Sequence, residues 1–146
     1  MILYGTTHRV GDGVTTDDII APEQRSAGDP ALLAAHCLST LDPAIAEAAR
    51  EGDVLLAGSE FGRGGDADSA VLALQALGFA AIVCASASPD FADTAAAYGL
   101  PVLICPAALE IAPGTIVRID VAGGTIADRG SGKGYRTAPC PPALVE

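Results

Sequence analysis

Between Gly58 and Ala70 the chain reads Gly58-Ser59-Glu60-Phe61-Gly62-Arg63-Gly64-Gly65-Asp66-Ala67-Asp68-Ser69-Ala70. An apolar run, Val54-Leu55-Leu56-Ala57, leads into it, and a helical pattern from Ala67 to Leu77 leads out. A glycine-rich turn between a buried strand and a helix presents backbone N–H groups at the positive end of a helix dipole, which suits an anionic ligand. Gly64 and Gly65 let the backbone approach such a ligand closely. Arg63 reads either as a cationic partner for that ligand or as an exposed loop arginine. Asp66 reads as a general base, as the helix N-cap, or as both.

A second polar stretch, Gly11-Asp12-Gly13-Val14-Thr15-Thr16-Asp17-Asp18, offers Thr16 and Asp17. An aspartate in such a loop either faces a ligand or folds its own loop through an Asx turn. His36 and Cys37 have the types of a thiolate–imidazole pair, but neighbours on a helix point in different directions, so they read as structural. Gly130-Ser131-Gly132-Lys133-Gly134 lacks the spacing of a phosphate loop and precedes a strand, so it reads as a hairpin turn. The four cysteines, Cys37, Cys84, Cys105 and Cys140, are 47, 21 and 35 positions apart. None forms a Cys-x-x-Cys pair, so no metal or cluster site is expected in this chain, and Cys84 and Cys105 read as buried thiols.

The elements that must position these residues are legible as periodicity. Ile2 to Val10 reads as a first strand or hairpin arm, Gly11 to Asp18 as a loop, and Asp29-Pro30 and Asp42-Pro43 as the openings of two helices, the second spanning Ala44 to Arg50. Val54–Ala57, Ala80–Ala85 and Val102–Cys105 are short apolar runs of the kind buried in a parallel sheet. Between them, Ala67, Ala70, Val71, Leu74 and Leu77 form one helix face closed by Gly78, and a further helix spans roughly Asp90 to Tyr98. Thr115 to Val121 alternates and turns at Gly123-Gly124 into Thr125–Ala127, an antiparallel hairpin. The expectation is a single α/β domain over residues 1–146 with a mixed sheet.

Half of the 146 residues are hydrophobic but only 4% are aromatic, so the core is built from small aliphatic side chains. With 8 basic against 18 acidic residues, the net charge of −10 argues against nucleic acid and anionic membrane partners. No apolar run approaches the roughly 20 residues that span a bilayer, and the N-terminus lacks the features of a secretory signal, so a cytoplasmic protein is expected.

Taken in order, Gly11–Ile20, His36-Cys37, Gly52–Gly62 and Gly99-Leu100-Pro101 resemble the small subunit of 3-isopropylmalate dehydratase and homoaconitase, the equivalent of the aconitase swivelling domain. The resemblance runs from about Arg9 to Pro141. It implies an aconitase-type swivelling β/β/α domain that docks on a large subunit holding a [4Fe–4S] cluster. The site would then form at the interface, on a small-molecule hydroxy-acid, with Asp17 as an active-site aspartate. The family loop Gly-Cys-Gly-Ser-Ser-Arg-Glu-His-Ala corresponds here to Gly62–Ala70. Gly65 therefore stands where the resemblance places a serine base, and Ala67 where it places a carboxylate-binding arginine. In Ser86–Thr94, Pro89 and Asp93 stand where it places two further arginines. A glycine takes no proton, and an alanine or aspartate in place of a guanidinium fork removes or reverses its attraction for a carboxylate. Two readings follow. One is a diverged hydro-lyase or isomerase subunit, with Asp66 and Asp17 catalytic and Arg63, Gly64, Gly65 and Thr16 binding substrate. The alternative is a free-standing homo-oligomer with a cluster-independent reaction or a ligand-binding role.

Overall fold

The computed structural model describes residues 2–20, 37–38, 43–65, 67–121 and 123–137. Seven strands form one sheet: β1 (Ile2–Arg9), β2 (Val54–Ala57), β3 (Ala81–Cys84), β4 (Val102–Ile104), β5 (Ile116–Asp120), β6 (Thr125–Asp128) and β7 (Gly134–Arg136), in the spatial order β4-β3-β2-β1-β5-β6-β7. β1 joins two unlike halves. Its end, Thr7–Arg9, pairs in parallel with Val54–Leu56, whereas Ile2–Thr6 pairs antiparallel with Ile116–Asp120.

The two halves differ because their sequences do. Every residue of β2 and β3 is buried, as continuous apolar strands covered on both faces must be. β6 alternates buried and half-buried residues, the pattern of strands with one dry face. On the helical side, Val10, Leu55, Ile82 and Cys84 pack against α3 (Ala67–Leu77) and α4 (Pro89–Ala97). On the other side, Val54, Leu56, Val83 and Leu103 of the parallel half pack against Val117, Ile119 and Ile126 of the antiparallel half. The sheet therefore curls back on itself, closing a second core built mainly from strand residues, with Ala96 and Leu109 packed against it.

The expected mixed α/β sheet is observed, with several boundaries corrected. Gly11–Asp18 is not loop throughout: Thr16–Ile19 forms a one-turn helix, α1, capped by Thr15. The Thr15 hydroxyl accepts the Asp18 N–H while the Asp18 carboxylate accepts the Thr15 N–H, a capping box that four polar residues in a row conceal. Helix α2 spans Pro43–Ala48 rather than Ala44 to Arg50. α4 begins at Pro89, one residue early, because Pro at the first helical position needs no N–H partner. Gly78 and Gly99 close α3 and α4 as expected. Gly78 bonds to Gln75 and Phe79 to Leu74, and Gly99 bonds to Ala96 and Leu100 to Ala95, two Schellman terminations. The hairpin at Gly123-Gly124 is present, and Gly130–Lys133 turns β6 into the additional strand β7, with Gly132 N–H bonded to the Asp128 carbonyl at 2.8 Å. The helix opened at Asp29-Pro30, the Asp42 cap, His36 and Cys140 lie outside the described residues; Cys37 lies in a turn, not a helix.

Candidate functional site

Beyond the strand ends, parallel pairing continues into the two polar loops and builds the site. Val10 N–H bonds to the Leu56 carbonyl (2.8 Å), Gly13 N–H to Ser59 (2.8 Å), and Gly62 N–H to Val14 (2.7 Å). Thr16 N–H then bonds to the Arg63 carbonyl (2.8 Å), so the start of α1 lies against the glycine loop. Asp12 adds side-chain anchorage, its carboxylate accepting the Ser59 N–H at 2.8 Å. On its other edge the loop is held by Ser86–Ser88. Phe61 N–H bonds to the Ser86 carbonyl (3.0 Å), Ser88 N–H to the Phe61 carbonyl (2.9 Å), and Glu60 N–H to the Ser86 hydroxyl (2.8 Å). The glycine loop is therefore a middle rung between two neighbours, with its backbone bonds largely satisfied along both edges up to Arg63.

Two glycines are required by this packing. Gly62 has φ +82° and a Cβ there would collide with the Phe91 ring, which is buried and packed edge-on to Phe61 at 5.2 Å. Gly64 has φ +133°, and a Cβ there would collide with the hydroxyl of buried Thr16. Gly65 is different: a Cβ there would meet nothing within 4 Å, so the position next to the helix start is open.

The proposed site residues are thus arranged unevenly. Thr16, Arg63, Gly64 and Gly65 come together, with Asp17 exposed on the first turn of α1 beside them. Asp66 lies outside the described residues, although α3 starts at Ala67, as the apolar pattern requires. The Arg63 side chain is 63% exposed and pairs with Glu60 at 3.2 Å. It borders a groove of about 390 Å³ whose wall includes Glu60, Ser86, Ser88 and Pro89. Glu60 and Ser86 belong to this site on geometry and were missed by sequence reasoning. The only signal was Ser88-Pro89, an N-cap followed by a first-turn proline, which places Ser86 and Ser88 just ahead of a second helix start.

Cys37, Cys84 and Cys105 are buried, and burial pushes the Cys37 and Cys84 thiols up to about 12. The Cys105 thiol donates to the Arg136 carbonyl at 3.2 Å on the opposite side of the sheet from Cys84. Among the described residues no group of three or more His, Cys, Asp or Glu is placed to hold a metal ion. No helix among them is long and apolar enough to cross a membrane.

A curled, mixed sheet with a bonded pair of polar loops at the end of its parallel half defines the class of the chain as an α/β domain of the aconitase swivel type. The 3-isopropylmalate dehydratase small subunit of Moorella thermoacetica is 37% identical, with 100% of this chain and 89% of the relative covered. That of Caldicellulosiruptor bescii is 34% identical, covering 97% and 86%. The crystal structure of 3-isopropylmalate dehydratase from Methanocaldococcus jannaschii superposes with a TM-score of 0.90 at 34% identity, over 97% of this chain and 83% of that one. No family model matches the sequence. The chain belongs to the 3-isopropylmalate dehydratase small-subunit family.

Proposed function

We propose that this chain is the small subunit of an aconitase-superfamily hydro-lyase or isomerase, acting on a hydroxy-acid together with a large iron–sulfur subunit. The observation that carries this reading is the bonded register of Thr16 with Arg63 at the start of α3, in a chain similar over its whole length to small subunits. The N–H groups of Gly64 and Gly65, the positive end of the 11-residue helix α3 and the Arg63 guanidinium hold one anionic group of the substrate. Asp17 faces that group from α1, and Asp66 is its proton acceptor or the helix cap. The [4Fe–4S] cluster belongs to the large subunit in this reading.

The substrate differs in charge from an isopropylmalate-type dicarboxylate. Ala67, Pro89 and Asp93 occupy positions where the family resemblance places arginines, which leaves Arg63 as the cation of the groove. Each lost charge-assisted pair costs roughly 1.5–3 kcal/mol, or about 10–150-fold in affinity. Calorimetry on the complex is expected to give isopropylmalate binding weaker than micromolar; micromolar affinity overturns this substrate assignment.

Co-expression with the cognate aconitase-type large subunit, followed by size exclusion, tests the subunit reading: a stable co-eluting complex supports it. A chain that stays a homo-oligomer beside its large subunit overturns it in favour of a free-standing protein. In the complex, Asp66→Asn keeps a capping oxygen while removing a base. A fall in turnover of roughly 100-fold or more at unchanged melting temperature marks Asp66 as the proton acceptor.

A further inference from the structure

Glu60 stands in a backbone conformation that its residue type disfavours. Its φ is +58°, in the left-handed region where glycine, asparagine or aspartate is usual and a glutamate is strained. Bonds along the loop hold it there. The Ser59 N–H is tied to the Asp12 carboxylate (2.8 Å), the Glu60 N–H to the Ser86 hydroxyl (2.8 Å) and the Phe61 N–H to the Ser86 carbonyl (3.0 Å). Strain that is fixed by its surroundings in this way concentrates at ligand sites. In this conformation Glu60 Oε2 accepts from Arg63 Nη1 at 3.2 Å, and both side chains line the groove of about 390 Å³.

The pair leaves both partners able to bind a ligand. Its contact joins one nitrogen to one oxygen, so Glu60 Oε1 and the remaining donors of the guanidinium fork are not committed to it. The side chains are 62% and 63% exposed, so a ligand here displaces only water. Across the groove stand Ser86 and Ser88. Ser86 accepts the Glu60 N–H, and among the described residues none accepts its proton. Ser88 occupies the N-cap of α4 but its side chain makes no capping bond. Arg63, Ser86 and Ser88 therefore present donors, whereas Glu60 presents an acceptor that carries negative charge.

This combination sorts acids by charge and by donor. A ligand carboxylate takes the free donors of Arg63. A hydroxyl on the carbon next to that carboxylate lies beside it, so a 2-hydroxy acid offers an acceptor and a donor side by side, the complement of Arg63 and Glu60. A second carboxylate on the same molecule would meet Glu60 as a like charge.

We propose that Glu60 is the specificity-determining residue of the groove, accepting the hydroxyl of a 2-hydroxy monocarboxylate held by Arg63 and excluding a second carboxylate. This rests on the reading above that the groove at Arg63 holds the substrate, and it names the class of that substrate.

The test is a chemical-shift titration of the isotope-labelled full chain, alone and bound to its cognate large subunit, read at the Gly64 and Gly65 amides. The probes are 2-hydroxybutyrate, butyrate and malate, a 2-hydroxy dicarboxylate. Wild type is expected to bind 2-hydroxybutyrate about 10-fold more tightly than either of the others. Glu60→Gln keeps the length and an acceptor oxygen but loses the charge, and is expected to raise malate affinity about 10-fold. Glu60→Asn, whose side chain suits the left-handed backbone, is expected to do the same with an equal or higher melting temperature, which separates loss of charge from damage to the loop. If the probes shift these amides but both variants leave the order of the three acids unchanged, or if wild type prefers malate, Glu60 does not set specificity and the proposal is overturned while the groove reading stands. If no probe shifts them in either state, or Arg63→Ala leaves the shifts intact, the groove does not hold the anion and both readings fall. Co-elution with the large subunit decides the subunit reading independently of these outcomes.

Discussion

The carbonyl of Arg63 accepts the N–H of Thr16 at 2.8 Å, so two residues 47 positions apart share one rung at the mouth of the candidate site. That rung orients both partners. The Arg63 side chain is left outside, toward Glu60 and the groove, while Thr16 is turned inward under Gly64.

Gly64→Ala is expected to destabilise the loop. The residue must leave φ +133° or displace the Thr16 hydroxyl, at a cost of about 1–3 kcal/mol. In a domain of this size that corresponds to a drop of roughly 3–10 °C in melting temperature by calorimetry. An unchanged melting temperature means that the Gly64–Thr16 packing is not what holds the loop.

Arg63→Ala is expected to separate binding from stability. The side chain is 63% exposed and its pair with Glu60 is of the surface kind, which contributes about 0–1 kcal/mol. Melting should hold within about 2 °C while the affinity of the complex for its anionic substrate falls about 10-fold or more. Equal losses in both would make Arg63 a structural residue.

Gly65→Ser is expected to cost almost nothing, within about 0.5 kcal/mol, because a Cβ there meets no atom within 4 Å. It also restores a hydroxyl where the family resemblance places one. In complex with the large subunit it should raise isopropylmalate dehydration roughly 100-fold, the lower end of what a positioned base contributes. A stable variant with no gain in turnover shows that the missing hydroxyl is not what separates this chain from its relatives.

The buried thiols make alkaline stability testable. Cys37 and Cys84 titrate near 12 in the folded chain against an ordinary 9.0, so the fold prefers their protonated form. The unfolded chain loses these protons first as pH rises, and stability is therefore full below about pH 9 and is lost between pH 9 and about 12. Denaturant titrations at pH 8 and pH 10 should show the decline, and replacing both by serine or alanine should flatten it. At pH 8 both thiols should resist alkylation until denaturant is added.

Much of the scaffold was legible because its signals are local. The start of α3 at Ala67 follows from the apolar spacing of Ala70, Val71 and Leu74, all of which are buried, and its end follows from Gly78. The continuous apolar runs of β2 and β3 and the alternation from Ile116 to Asp120 distinguish a doubly covered strand from a one-faced one. The short helix α1 escaped notice because four residues carry no periodicity, and only the capping box of Thr15 with Asp18 defines it.

What tertiary structure decided is which of these residues meet. The chain alone determined that a glycine loop containing Arg63 precedes a helix and that net charge is strongly negative. The groove joining Arg63 to Ser86, 23 positions away, exists because β2 and β3 pair in parallel and carry their following loops out at the same end. Ile2, Tyr4 and Ile116 are left exposed where β1 changes partner at Thr6–Thr7, pairing with β5 on one side of that point and β2 on the other. Periodicity reports which side of a strand is wet, but not whether a helix lies over it. Coverage depends on where distant elements pack, and that is a property of the assembled sheet.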